Sequence, residues 1–383
     1  MIIGYDGKRA FQNTTGLGNY SRSLIKILGD TFLQNKYILF APKQTDLFDI
    51  ATFQNVAAIT PQTSFYKRFS FLWRRNGIVK DILKTGANIY HGLSNELPHG
   101  IEKTSIKTIV TVHDLIFERF PETYNFDERF THRWKIKHAC RIADAIIAIS
   151  KQTKNDLVEI YKVPADKISI CYQSCNPVFE KRSNPEEKDF IKQKYHLPDK
   201  YFLFVSSIAP RKNLIAICKA LVLLKGTLDL PLVVIGNGKK EKENAKEFMR
   251  TNGMADKLII LNELPQSRDQ AFMSAADFPA IYQQAEALIY PSIFEGFGLP
   301  VLEAMWSRLP VICSNTSSLP EAGGEAALYF NPHDHALLAR HMMNVVTDEG
   351  LAADLREKGL QQAQLFDTEK YAHTIMDLYK SLG

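Results

Sequence analysis

The chain has 383 residues, 45% of them hydrophobic and 23% charged, with a formal net charge of +5. That length is too great for one ordinary core and fits about two domains of soluble globular composition. The mild positive balance, without a basic arm or stacked aromatic motif, argues against a nucleic-acid partner. No apolar run approaches the roughly 20 residues of a spanning helix, and Met1-Ile2-Ile3-Gly4 reads as a strand and not a signal peptide, so a cytoplasmic location is expected. Cys140, Cys171, Cys175, Cys218 and Cys313 are scattered without a C-x-x-C pair and read as reduced thiols in or near the core.

Short apolar runs alternate with helical patterns, the signature of parallel sheets built from βαβ units. In the first half the predicted strands are Ile2 to Tyr5, Tyr37 to Phe40, Val56 to Ile59, Asn88 to His91, Thr108 to Val112, Ala145 to Ile149 and Lys167 to Cys171. Helices are predicted between them, for example Asn19 to Leu28 and Gln152 to Tyr161. In the second half Tyr201 to Ser206, Leu232 to Ile235, Leu258 to Leu261, Ala287 to Tyr290 and Val311 to Cys313 are strand-like. The fold class is α/β, with two doubly wound, Rossmann-like domains. The polar stretch 177–195, with two prolines, is the predicted linker between domains 1–176 and 196–366, and residues 367–383 form a last helix.

Thr15-Gly16-Leu17-Gly18-Asn19-Tyr20 opens a helix but lies about nine residues beyond the first strand, with Ser21 where a dinucleotide turn needs its third glycine. A dehydrogenase is therefore not expected. Ser64 to Lys84 mixes aromatics, Trp73 among them, with cations including Lys67, Arg68, Arg74 and Arg75. Two readings stand for it: an interfacial helix on an anionic membrane surface, or a domain helix with a buried aromatic face. His91 and Ser94, at and just after the end of one strand, are candidates to line a binding cleft. His113-Asp114 ends the next strand, where a histidine is as often structural as catalytic.

Pro210-Arg211-Lys212-Asn213 follows the first strand of the second half and precedes a helix. Adjacent Arg and Lys at a strand's carboxyl end make an anion clamp, a planar fork beside a point charge. The stretch Glu286 to Phe330 is the most informative. A strand ending at Tyr290 leads into a loop carrying Gly296 and Gly298, and Pro300 opens a helix. Glycines let the backbone approach a ligand there, and the free amides at the helix start favour a phosphate. Glu295 and Glu303 flank the turn and suit hydroxyls rather than phosphates. Glu295, in a glycine loop, is expected to face solvent or ligand. An anionic centre with a polyol on each side describes a nucleotide sugar.

The two glutamates, with seven residues between them in FEGFGLPVLEA and followed by SSLPEAGGEAALYF, resemble the signature of retaining family 4 glycosyltransferases. That resemblance implies a GT-B architecture, with an acceptor-binding first domain, a nucleotide-sugar-binding second domain and a final helix that crosses back to the first. It implies that Glu295 contacts the donor sugar and Glu303 the ribose, while Arg211 and Lys212 hold the diphosphate and stabilise its departure. His113 would face the donor sugar, the Gly16 and Gly18 loop would close over the diphosphate, and His91 and Ser94 would line the acceptor side. Gly296, Phe297, Gly298 and Leu299 complete the donor-binding loop. Ser206-Ser207 departs from the Gly-Arg or Gly-Thr of many members. PRKN and SSLPE resemble bacterial mannosyltransferases of O-antigen or capsule assembly, which suggests GDP-mannose and a saccharide or lipid-linked acceptor; UDP- and dTDP-sugars stay open. A nucleotide-sugar 2-epimerase and a non-catalytic nucleotide-sugar-binding protein are the rival readings. No Asp-x-Asp motif or paired metal ligands appear, so neither a cofactor nor a metal is expected.

Overall fold

The computed structural model describes residues 1–383 and divides into two compact units, Met1–Gln173 with Thr368–Gly383, and Ser174–Asp367. The first unit holds a seven-stranded parallel sheet: β1 (Ile2–Asp6), β2 (Lys36–Phe40), β3 (Val56–Ile59), β4 (Ile89–Gly92), β5 (Lys107–Val112), β6 (Ala145–Ala148) and β7 (Ile168–Ile170), in the order β3-β2-β1-β4-β5-β6-β7. The second holds six parallel strands: β8 (Phe202–Val205), β9 (Leu232–Ile235), β10 (Leu258–Ile260), β11 (Ala287–Tyr290), β12 (Val311–Ser314) and β13 (Ala327–Phe330), in the order β10-β9-β8-β11-β12-β13. Both are Rossmann-like, doubly wound sheets.

Strands such as β6 and β9 are apolar at every position because helices cover both faces of each sheet. The first sheet separates two cores. On one side Ile3, Leu39 and Ile109 pack with Leu24, Leu28 and Met376; on the other Phe40, Tyr90 and Val110 pack with Trp73, Ile78 and Ile136.

The final helix, Thr368–Leu382, belongs to the first unit and lies against the helix Gly16–Thr31. It buries Tyr371, Ala372, Ile375, Met376 and Tyr379, positions at helical spacing. The Tyr379 hydroxyl donates to the Tyr5 hydroxyl at 3.2 Å and meets His91 Nδ1 at 2.7 Å.

Three expectations need correction. The stretch 177–195 is not a free linker but part of the second unit. Asn184 and Glu187 form a capping box at the start of the helix Pro185–Tyr195, which buries Ile191 and Tyr195 there. Ala327–Phe330 is a strand that the sequence reading passed over, since AALYF follows a helix after only a short turn. Ser64–Lys84 is not one amphipathic helix: short helices at Ser64–Arg68 and Ser70–Leu72 lead through a π-turn, Trp73–Gly77, into the helix Ile78–Lys84. Trp73 is fully buried and donates to Asp81 at 2.8 Å, while Arg74 is ion-paired with Asp6 and Glu96. Neither can meet a membrane surface; Lys67, Arg68 and Arg75 remain exposed with Phe65, Phe69 and Phe71.

Candidate active site

The strand order of the second sheet reverses between β8 and β11, the place where open α/β sheets bind ligands at the carboxyl ends of their strands. The loop after β8 delivers Arg211 and Lys212, and the loop after β11 delivers Ser292 and Glu295. Asn213 ends the PRK turn in a left-handed conformation, φ 57°, which asparagine tolerates. It ties this loop down by donating to the carbonyls of Pro291 and Pro332, at 3.3 and 2.9 Å.

Glu295 is the centre of the cluster. Its Oε1 accepts from Lys212 Nζ at 2.5 Å, from Ser292 Oγ at 2.5 Å and from the Tyr290 hydroxyl at 3.1 Å; Oε2 lies 3.3 Å from Arg211 Nη1. Arg211 also donates to the Phe294 carbonyl at 2.9 Å, and Lys212 to the Tyr290 hydroxyl at 3.0 Å. Burial pushes the Glu295 carboxyl up, but Lys212 and Arg211 more than offset it and hold the group below its ordinary range. The expectation of a carboxylate facing solvent or ligand is corrected here. Glu295 is buried and bound to the two cations of the PRKN turn.

Serines fix the backbone of the glycine loop. Ser317 Oγ accepts from the Glu295 amide at 2.8 Å, and Ser318 Oγ donates to the Glu295 and Phe297 carbonyls at 3.0 and 2.9 Å. Ser317 holds a left-handed φ of 52°, strain of a kind that collects at functional sites. Gly298 has φ 112°, and a Cβ there would stand 2.8 Å from Leu319 Cδ2. The helix Leu299–Trp306 follows, with Pro300 in its first turn. Gly296 and Leu299 are half-buried and Phe297 is packed edge-on against Phe366.

Glu303 lies one turn inside this helix and is apart from the Glu295 cluster. Its Oε2 accepts from the Tyr282 hydroxyl at 2.8 Å. Burial raises its pKa to about 7, against a smaller downward pull from Tyr282.

The sequence reading missed Tyr290, Ser292, Ser317, Ser318 and Tyr282. It also passed over Gly236 and Gly238, where Gly-Asn-Gly directly follows β9. A Cβ would lie 1.8 Å from the Ser206 carbonyl oxygen at Gly236 and 1.9 Å from that of Ile208 at Gly238. Only glycine lets this turn lie beside the loop after β8, where Ile208 N donates to Asn237 O at 2.7 Å.

In the first unit His113 is buried at the end of β5. Its Nε2 lies 2.9 Å from the Leu93 carbonyl, its Nδ1 lies 3.4 Å from Gln173, and the Tyr20 ring meets it edge-on at 4.5 Å. Tyr20 belongs to the helix that Gly16 and Gly18 open, so His113 and the glycine loop are neighbours. Gly18 packs against Asn13, while Gly16 faces open space. His91 is an interior hydrogen bonder, held by Tyr379 and by Thr111 Oγ1 at 2.7 Å, and is removed from the acceptor candidates; Ser94 is buried beyond β4.

Residues 186–362 match the family described as glycosyl transferases group 1, and residues 15–177 match Glycosyltransferase Family 4. The chain is 30% identical over 298 residues to the O-antigen chain mannosyltransferase B of Escherichia coli, covering 77% of this chain and 74% of that one. It is a family 4 glycosyltransferase. The serotype-specific mannosyltransferase WbdA of Escherichia coli is likewise 30% identical over 297 residues, 76% of this family 4 chain but 36% of that longer protein. In structure, the family 4 glycosyltransferase overlays the crystal structure of a glycosyltransferase from Rickettsia africae ESF-5 with a TM-score of 0.76 at 18% identity, over 100% of this chain and 98% of that one. The GT-B fold is thereby shared.

Proposed function

We propose that this glycosyltransferase is a retaining, metal-independent hexosyltransferase that moves mannose from GDP-mannose to a saccharide or lipid-linked saccharide of a surface polysaccharide. The observation that carries the reading is the meeting of Arg211, Lys212 and Glu295 at the β8/β11 switch point, beside the glycine loop. The mannose and the O-antigen acceptor rest on the similarity to the two mannosyltransferases.

In this mechanism the donor diphosphate meets Arg211, Lys212 and the Gly298 and Leu299 amides, which stabilise the charge that develops as the sugar–phosphate bond breaks. A divalent ion would serve the same purpose in a site lacking two cations. The acceptor hydroxyl attacks from the face the diphosphate leaves, and a departing phosphate oxygen takes its proton. Glu295 holds Arg211 and Lys212 at the diphosphate, and Glu303 orients the ribose hydroxyls. Neither serves as a covalent nucleophile.

The exposed Phe65, Phe69 and Phe71, with Lys67, Arg68 and Arg75, are assigned to an anionic membrane surface. Exchange of these three cations for glutamate should abolish co-sedimentation with phosphatidylglycerol vesicles; unchanged sedimentation removes that assignment.

The deciding experiment is a thermal-shift comparison of GDP-, UDP- and dTDP-sugars, since a ligand that binds only the folded state adds about 2.7 kcal/mol at a hundredfold excess over Kd. A shift with GDP-mannose that disappears in Arg211→Ala and Glu303→Ala is expected. A shift only with another base reassigns the donor, and none at all overturns the reading.

A further inference from the structure

A cavity of about 350 Å³ lies wholly within the second unit. Gln283 in its wall precedes β11, and Ser307 and Arg308 precede β12, so it opens at the amino ends of these parallel strands. Arg211, Lys212 and Glu295 gather at the carboxyl ends, the other side of the same sheet. Arg182 and Arg356, the latter from the helix Glu349–Ala363, bring the guanidinium groups in the wall to three. None of the three has an ion-pair or hydrogen-bond partner in the protein. Three cations thus face one carboxylate, Glu357, which accepts from Gln361 at 3.0 Å.

Three observations separate this cluster from a solvated basic patch. Ser307 is 1% exposed and lines the cavity, and its hydroxyl, shielded from solvent, has no hydrogen-bond partner. A buried hydroxyl in that state is unfavourable until a ligand or water meets it. Arg308 stands at φ 54° just past the helix Leu299–Trp306, where Leu309 N donates to the Ala304 carbonyl at 2.8 Å and Arg308 N to the Met305 carbonyl at 3.0 Å. Glycine is the default at such a left-handed helix end, so this side chain is held there against backbone strain. Gln283 fixes Arg182 from both sides, donating to the Lys181 carbonyl at 2.8 Å and accepting from the Ser183 amide at 3.1 Å. Partial burial, and then the neighbouring Arg308 charge, pull the Arg182 guanidinium below its ordinary range.

We infer that this cavity binds a phosphorylated small molecule, with Arg182, Arg308 and Arg356 on the phosphate oxygens and the Ser307 hydroxyl donating to the same group. Guanidinium forks match phosphate oxygens in pairs, and a dianion balances the excess of positive charge. The volume is at the small end of the ~300–1,000 Å³ of ligand pockets, which suits a sugar phosphate or a diphosphate. No aromatic or large aliphatic side chain lines the cavity, so it lacks the apolar anchors of a membrane-binding surface. A soluble phosphate ester is therefore favoured over a lipid headgroup. The site uses none of the donor residues.

The test is isothermal titration calorimetry of the full chain with inorganic diphosphate and with mannose 6-phosphate, each repeated in Arg211→Ala to weaken binding at the donor residues. Binding of at least one probe is expected to persist in Arg211→Ala. In that background Arg308→Gly or Arg356→Gln should weaken it at least tenfold, and Ser307→Ala about two- to tenfold. Glycine suits the left-handed backbone at 308, so the Tm of Arg308→Gly should equal or exceed that of its parent, which separates lost binding from lost folding. Arg308→Gly and Arg356→Gln alone should keep the thermal shift with nucleotide sugars. Affinity unchanged by both arginine variants overturns the site, as does the absence of binding by either probe. Co-sedimentation with phosphatidylglycerol vesicles that disappears in Arg308→Gly, without binding of the soluble probes, overturns the soluble ligand in favour of a headgroup.

Discussion

Lys212 and Glu295, 83 positions apart in the chain, form a buried ion pair of 2.5 Å that joins the loop after β8 to the loop after β11. Taking two charges out of water repays little stability by itself. Its consequence is positional: each loop carries its charge to the switch point only if the other is in place.

Removing one partner should therefore be worse than removing both. Lys212→Met or Glu295→Leu alone is expected to cost about 3 kcal/mol or more, because each strands a buried charge. The double variant should recover most of that. Chemical denaturation of the three variants gives the coupling directly, and additive losses would show that the pair is not acting as a unit.

Arg211→Ala should lower kcat by about 10²–10³, the effect of losing one preorganised donor to a developing anion, with a smaller change in donor KM. Arg211→Lys keeps the charge but loses the fork and should recover only part. Activity should be unchanged in excess EDTA, and a magnesium-dependent rescue of Arg211→Ala would contradict the metal-independent mechanism.

Glu303 gives a pH dependence with a definite sign. Its folded pKa, about 7, lies above the ordinary carboxyl value. The stability it contributes is thus complete below about pH 4.5 and lost as pH rises through 7. Glu303→Gln should raise the Tm at pH 8 and leave it unchanged at pH 4.5. Ribose hydroxyls prefer the ionised form, so donor KM should fall from pH 6 to pH 8 in the unaltered enzyme and stay flat in Glu303→Gln. A flat profile in both would remove the ribose contact.

Arg74→Ala should destabilise the first unit by about 3–5 kcal/mol, since it leaves the Asp6 carboxylate buried without its cation. Replacing the exposed Arg75 should cost under about 1 kcal/mol. Comparable losses from the two, by thermal melting, would contradict the burial seen at Trp73 and Arg74.

Gly298→Ala should cost about 1–3 kcal/mol, the scale of a forced backbone conformation, and lower kcat/KM by more than the lost folded fraction explains. Melting and initial rates on the same preparation separate the two effects.

Sequence pattern carried most of the fold because parallel strands buried on both faces are continuous apolar runs: β3, β9 and β11 have the predicted bounds. The one omitted strand, Ala327–Phe330, is mixed in burial and follows a helix closely. The trio Arg211, Lys212 and Glu295 was also legible, as charges at strand ends. Their mutual pairing was not, since it depends on β8 and β11, whose paired residues are 85 positions apart, becoming neighbours. Tyr290 and Ser292 looked like a strand end and a turn. The basic aromatic segment misled because composition cannot tell which of two adjacent arginines points inward; Asp6, 68 residues away, decides that for Arg74.

The return of Thr368–Leu382 to the first unit has a bearing on biosynthesis. Tyr5 and His91 find their Tyr379 partner only after the whole of the second unit has been translated. The first unit begins before the second but is completed after it, so on the ribosome the intervening unit can fold as a whole while its predecessor still waits for its closing helix.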